Sequence, residues 1–533
     1  MTATAEQTAT AKPVSAPIRF NPYVGELGVF LGAATSTLNG KLLSTGLADL
    51  RGALGFGFDE ASWIPTALNM GMMFTGVFAV FLGTAYGIRR VLLLSGAVFT
   101  AAAILLASAH SIPVLLALEA VAGVAVGSFY TLTLTFVARS LPPRLLIFGI
   151  AAYALDIIVT SHVSTLIHGW YMEHLSWRWI FWCGGLLMAL TMTCIHFGIP
   201  PAAQAERPNW RGFLYMSAGL SLIYGALDQG QRLDWWNSGT FVGMLAAGLM
   251  LIVAALVRRY LAPNPLLNLG FLGARNVLIM GLGIFTIRFS LLGSLLVIPS
   301  FLGNVQQYRP LQTGEALAWV AAPQFAVVWI AAIASVFIQP RIVMAAAFTT
   351  VAVGCWMAAH VDSSWSGASF HVPELLLAIG IGAAFVSLVV SIVLLVVEMG
   401  ALQSITNTAS YSAFMHTIRM MGGQIGAVAL GRFLTVREQL HSNLLGLHVE
   451  SGSWIAAERL HGMAAALTPF SAGAEEAQTR AAAVLAGQVK AQAFTLASSD
   501  ALLLIAWAIA GYLLLVVLMR PSTISLRHPE KAK

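Results

Sequence analysis

Charge is what this chain of 533 residues has least of. Only 9% of its residues are Asp, Glu, Lys or Arg, against roughly 25% in soluble domains. With 58% hydrophobic residues, an ordinary soluble fold is excluded. Cysteine is almost as scarce. Cys183, Cys194 and Cys355 each lie inside an apolar run, which argues against disulfides and a Cys-based metal centre. The net charge of +6 gathers into no basic face, because Lys and Arg sit mostly in short connecting segments, so nucleic acid is not an expected partner. No clustered His/Asp or paired acidic motif stands at an interface, as a membrane acyl- or glycosyltransferase would need. His162 and His168 are six residues apart, a poor helical repeat, and no metal site is expected. Met1–Asn21 reads as a Thr/Ala-rich polar tail. The apolar stretch after it is too long for a signal h-region, so no cleavable signal peptide is expected.

What the chain has in excess is long apolar runs. Runs of 18 or more residues recur from end to end, the mark of a polytopic helical membrane protein. Windowed apolarity predicts fourteen spans, near 27–47, 62–83, 91–109, 113–137, 145–167, 178–199, 211–228, 238–260, 275–302, 314–336, 340–359, 372–398, 411–432 and 499–519. An inside N-terminus puts most Lys and Arg in cytoplasmic segments and leaves Arg51, Arg178, Arg232 and Arg309 in short outside ones, so both termini are expected in the cytoplasm. The segment between the last two spans is unusually long. It has Ile455, Leu460 and Met463 near helical spacing among Glu458, Arg459 and His461, and a second helical stretch at Ala474–Leu496. It reads as a solvated hairpin or as a docking surface on the outer side.

A few ionisable residues fall inside the spans. A charge at mid-membrane costs roughly 2.5–3.5 kcal/mol on insertion scales, so Glu119 in Pro113–Val137 needs a partner, a proton or a water-filled cavity. Asp156 lies ~16 Å into the fifth span at 1.5 Å per residue. It is a candidate proton carrier or a hydrogen-bonded structural residue. Arg288 and Arg419 are cations of the C-terminal half, with Glu398 a possible partner for Arg288. Trp63, Phe129, Tyr130, Tyr153 and Phe414 either line a cavity for a flat substrate or pack.

Four stretches carry a resemblance to the fourteen-span drug:proton antiporters of the major facilitator superfamily, the EmrB/QacA type. They are Ser176–Phe181 (SWRWIF), Leu227–Gly230 with Leu233–Trp236 (LDQG, LDWW), Asn264–Leu269 (NPLLNL) with Phe271 and Arg275-Asn276, and Arg419 with Gly423–Gly426 (GQIG) and Arg437-Glu438. The resemblance implies an all-α membrane protein with the major facilitator fold, two six-helix bundles plus two inserted helices. The bundles would span 27–199 and 275–519, the second including an outside loop at 433–498. The inserted pair would be 211–260, with cytoplasmic tails at 1–26 and 520–533. It implies a midplane cavity between the bundles, alternating access by their rocking, no cofactor beyond the proton gradient, and a home in the bacterial inner membrane. It also implies a periplasmic adaptor and an outer-membrane channel as partners, beside a small-molecule substrate and the lipid bilayer.

Departures from the family pattern bear on coupling. The Leu-Asp pair of the first span is Leu38-Asn39, followed by Lys41. The inner-loop motif keeps Gly87, Arg89 and Arg90 but lacks its acid. Glu119 stands where an Arg is usual, and Ser164-Thr165 replaces a Gly-Pro. Lys41 lies ~21 Å from the inner face and Glu119 ~9 Å from the outer one, hence at similar depth on neighbouring spans. A Lys41–Glu119 ion pair of reversed polarity is therefore expected, with Asp156 as a further coupling residue. Asn39, Tyr130, Tyr153, Arg288, Phe414 and Arg419 are the expected cavity residues. Spacings such as Gly123/Gly127 and Gly422/Gly426 read as packing devices. The expected function is proton-coupled export of amphipathic or aromatic small molecules. The alternative is a carrier of one metabolite or organic anion, such as a siderophore, with atypical or no coupling; a basic cavity would favour anions. A non-transporting receptor is a further reading.

Overall fold

A computed structural model describes residues 20–141, 143–201, 210–261, 273–398, 405–449 and 452–519. Among the described residues every regular element is helical. Helix α1 (Pro22–Thr45) opens as its local chemistry dictates: the Asn21 carboxamide oxygen accepts from the Tyr23 N–H at 3.0 Å, and Pro22 occupies the first turn. Two short helices, α2 (Leu47–Leu54) and α3 (Phe58–Ala61), lead into α4 (Trp63–Tyr86). Then come α5 (Ile88–Leu106), α6 (Ile112–Ser140), α7 (Pro143–His174) and α8 (Trp179–Gly198), followed by α9 (Trp210–Gly230) and α10 (Gly239–Leu261). The C-terminal part holds α11 (Arg275–Leu292), α12 (Ile298–Asn304), α13 (Pro310–Phe337), α14 (Pro340–Ala358), α15 (His371–Glu398), α16 (Ile405–Gly446), α17 (Trp454–Leu467) and α18 (Ala474–Val517).

Helices stand at all fourteen expected positions, and eleven of them are long and apolar enough to cross a membrane. The three below that threshold are α1, α9 and α16. Each carries polar side chains in its middle or at one end, among them Asn39 and Lys41, Asp228 and Gln229, and His416, Arg419 and Gln424. These are the helices that supply most of the charge to the central cavity, so one property accounts for both observations.

Buried side chains form two apolar clusters. One takes residues from α1, α4–α6 and α8, with Leu68, Phe99, Phe129 and Phe181 at its centre. The other takes α11 to α15 and α18, with Phe301, Phe348, Phe370 and Ile505, and it also recruits Ile147, Ala154 and Ile157 of α7. Helix α7 is thus the seam between the two. It meets α13 with glycine on both sides: a Cβ on Gly169 would lie 2.5 Å from Leu311 Cα, and one on Gly314 would lie 2.5 Å from Leu166 Cα. Inside the first cluster α4 and α6 run equally close, since a Cβ on Gly127 would lie 2.6 Å from the Met72 carbonyl oxygen. In lipid there is no hydrophobic drive between helices, so such close approach and interhelical hydrogen bonds hold them together. The Thr131 hydroxyl donates to Gly76 O at 2.6 Å, the Thr133 hydroxyl to Val29 O at 3.0 Å, and the Gln324 amide to Ala378 O at 2.6 Å. Gly422 and Gly426 face Phe285 and Phe289 of α11.

Between α11 and α12 the chain makes one π turn, Gly293–Val297. Pro299 has no N–H to give to the preceding turn, and a widened turn there absorbs the lost bond. The long segment 433–498 is built from helix ends: α16 continues to Gly446, α17 lies alongside, and α18 passes unbroken into the last expected span. Asp500 pins its base, accepting from Arg437 Nε at 2.6 Å and lying 2.7 Å from His441 Nε2.

Candidate functional site

A cavity of about 290 Å³ lies where α1, α4, α7, α9, α11 and α16 converge. Helix α1 presents Thr37, Gly40, Lys41 and Ser44 to it, an i, i+3, i+4, i+7 stripe on one helical face. Arg288 and, past the start of the π turn, Leu295 come from the ninth span, Asn69 and Met72 from α4, and Arg419 and Gln424 from α16. Tyr224 and Asp228 come from α9, one of the two inserted helices.

Asp228 is the one carboxylate among the lining residues, and both its oxygens are engaged. Gln424 Nε2 of α16 donates to Oδ1 at 2.7 Å, and the Thr66 hydroxyl of α4 donates to Oδ2. Next to it, Gln229 Nε2 donates to Ser62 O at 3.0 Å and Arg232 Nε donates to Gln229 Oε1 at 2.6 Å. Arg232 also pairs with Asp59 at 3.1 Å. This network fastens the end of α9 to the start of α4 and links both to α16.

The cations are held differently. Arg288 lies flat against Gly423 of α16: a Cβ there would sit 3.2 Å from its Nη2 and 3.3 Å from its Nε. Arg419 stacks on Tyr130, its guanidinium carbon 3.3 Å from the ring centre, a cation–π contact. Tyr130 meets Tyr153 edge-on at 5.2 Å. Against them lies a second space of about 30 Å³, with Tyr130, Tyr153, Phe385, His416 and Arg419 among its lining residues. It is about the size of one water and largely apolar. Arg419 therefore forms a floor shared by the two spaces.

Of the residues expected at the cavity, Lys41, Arg288 and Arg419 line it, while Tyr130 and Tyr153 line the smaller space. Other expectations are corrected by helix rotation. The Lys41–Glu119 ion pair does not form among the described residues: Glu119 is fully buried, and neither of its oxygens has a partner. Depth is not the obstacle, because α1 and α6 are in register there, with the Ser36 hydroxyl donating to Val126 O. Lys41 is five residues beyond Ser36, roughly 140° around the helix at 3.6 residues per turn, and so turns from α6 to the cavity. Asn39 is likewise turned away, its Oδ1 3.2 Å from where Gly184 of α8 would carry a Cβ. Phe414 packs on Gly281 of α11 instead of lining the space. Asp156 lines neither cavity, and its buried Oδ2 has no partner among the described residues. The Glu398 side chain lies outside the described residues. At the inner-loop motif, Gly87 adopts φ +85° to turn α4 into α5, Arg89 donates to His196 O at 2.9 Å, and Arg90 is exposed. Sequence reasoning missed Asp228 and Gln424 as site residues, although both sit in the quoted motifs. An Asp two residues from a helix end was the available signal.

The two-cluster helical architecture around a polar central cavity finds its counterpart among known proteins. The profile of the Major Facilitator Superfamily matches residues 29–434. The chain belongs to the major facilitator superfamily, a family of transporters. It is 22% identical over 500 residues to the multidrug export protein EmrB of Haemophilus influenzae, covering 93% of this chain and 95% of that one. It is 24% identical over 299 residues to the probable multidrug resistance protein EmrY of Escherichia coli, covering 55% of this chain and 57% of that one. These low identities agree with a divergent member of the EmrB type. Among solved structures, the human organic anion transporter MFSD10 aligns with a TM-score of 0.53 at 13% identity, over 93% of this chain and 100% of that one. At that identity the likeness concerns the fold alone.

Proposed function

We propose that this chain is an inner-membrane exporter of amphipathic or aromatic small molecules, working by alternating access and driven by the proton gradient. The observation that carries the reading is the central cavity, whose wall takes charged side chains from α1, α9, α11 and α16 together. A solute bound there touches helices of both clusters, so rocking of one against the other would expose it to each side in turn. Similarity to the multidrug export protein EmrB of Haemophilus influenzae supports the outward direction. Asp228 is the carboxylate best situated for proton exchange, with Asp156 and Glu119 as buried alternatives. Both termini are assigned to the cytoplasm. The helical extension of α16, α17 and α18, with Trp454 and Phe470 exposed, is the surface proposed for a periplasmic adaptor leading to an outer-membrane channel.

The test is uptake of a dye panel into proteoliposomes with and without an imposed pH gradient, wild type against Asp228→Asn, Asp156→Asn and Glu119→Gln. Gradient-dependent, saturable uptake lost in at least one carboxylate variant is expected. Uptake indifferent to the gradient in every case sinks the coupling, and no uptake of any dye sinks the exporter.

A further inference from the structure

We infer that the central cavity is built for a small organic anion, whose acidic group is held by Arg288 and Lys41 above a floor formed by Arg419. The inference names the substrate class of the cavity assigned to transport above, but its own ground is charge and geometry. Lys41, Arg288 and Arg419 all line the cavity, and none of them makes an ion pair among the described residues. Arg288 Nε is buried without a hydrogen-bond partner, as are Arg419 Nε and Nη2. The lone lining carboxylate does not answer them, because Asp228 spends its oxygens on Thr66 and Gln424.

Three cations facing one occupied carboxylate at membrane depth is a costly arrangement. An incoming anion relieves it, whereas an organic cation would add a like charge. A guanidinium presents a planar fork of N–H donors that matches a carboxylate, sulfonate or phosphate, and Lys41 adds a compact point charge. The fork is held by Gly423, where any side chain would crowd it. One part of the wall, Met72, Tyr224, Leu291 and Met420, is apolar or aromatic and suits a hydrocarbon body, while Thr37, Ser44 and Asn69 add uncharged polar groups. At about 290 Å³ the cavity sits at the small end of the ~300–1,000 Å³ typical of ligand sites, which selects a metabolite-sized molecule.

Three probes sharing one ring system and differing in charge decide the matter: 1-naphthoate, 1-naphthylmethylammonium and 1-naphthalenemethanol. Their binding to the purified full-length chain is measured by tryptophan fluorescence, with sodium chloride as a competing inorganic anion. Naphthoate is expected to bind about 10-fold or more tightly than either other probe, the scale of one buried charged hydrogen bond. Arg288→Gln should erase that preference, and Arg288→Lys should restore part of it. Gly423→Ala, which displaces the guanidinium without removing its charge, should weaken naphthoate alone. The inference is overturned if the ammonium binds as well as naphthoate, if naphthoate does not bind, or if the preference survives Arg288→Gln, Arg288→Lys and Gly423→Ala alike. Full displacement by chloride near the naphthoate concentration overturns the organic class. Naphthoate that binds but is never transported defeats the exporter and leaves this inference standing.

Discussion

Glu119 and Glu374 occupy equivalent positions in the two halves of the protein. A shift of 255 residues carries Met72 onto Val327, Gly127 onto Gly382 and Glu119 onto Glu374. The neighbourhoods correspond, since a Cβ on Gly127 would meet the Met72 backbone and one on Gly382 would meet the Val327 side chain beside Gln324. The same shift carries Tyr130 onto Phe385, and both line the small apolar space. Such internal correspondence is what two halves related by an axis along the membrane normal produce. Both glutamates are fully buried, and neither has a partner for either oxygen among the described residues.

An unpartnered buried polar group carries its desolvation penalty uncompensated, about 1–3 kcal/mol. Glu374→Met, which keeps the length and removes the polar end, is therefore expected to stabilise the protein by about that amount. Glu119→Met should do the same. Thermal unfolding in detergent measures it. A fall in stability in both variants would mean that these carboxyls have partners in the folded protein.

The Asp228–Gln424 hydrogen bond joins an inserted helix to the thirteenth expected span. The bond is half-buried, and removing one partner of a hydrogen bond to a charged group costs about 1.5–3 kcal/mol. Asp228→Asn and Gln424→Leu should each cost about this much, and the double variant less than their sum by at least about 0.5 kcal/mol. A double-mutant cycle by thermal unfolding checks the coupling, and strict additivity would contradict it.

Close helix approach predicts a contrast between two glycines. Gly127→Val drives a side chain into the α4 backbone at Met72, whereas Gly243 of α10 has nothing within 4 Å of its Cβ position. Gly127→Val should cost about 3 kcal/mol or more, at or past the usual range for overpacking, and reduce folded protein in the membrane. Gly243→Val should stay within about 0.5 kcal/mol of the parent. Size-exclusion yield of the two variants, expressed side by side, reads the difference.

The α7–α13 seam gives a further test of close approach. A Cβ on Gly169 would lie 2.5 Å from both N and Cα of Leu311, backbone atoms that no rotamer change moves. Gly169→Ala should therefore cost about 1–3 kcal/mol, the range for overpacking. Thermal unfolding in detergent measures it, and a Gly169→Ala variant as stable as the parent would show that the two helices stand further apart in the folded protein.

Apolar run length alone was enough to locate the helices, because hydrocarbon thickness sets how many residues a span needs. The likeness in four short motifs was enough for the superfamily. Depth was legible too, since rise per residue is constant, and Lys41 does stand level with the outer half of α6. Rotation was not legible. A span packed on several sides carries no stripe that says which neighbour each of its residues meets, so Lys41 was aimed at Glu119 when it faces the cavity, and Asn39 and Phe414 at the cavity when they pack against neighbouring helices. Nor could the chain order reveal that an inserted helix delivers Asp228 between α4 and α16. Which charges share one space is a property of how the helices are packed, and only the tertiary structure decided it.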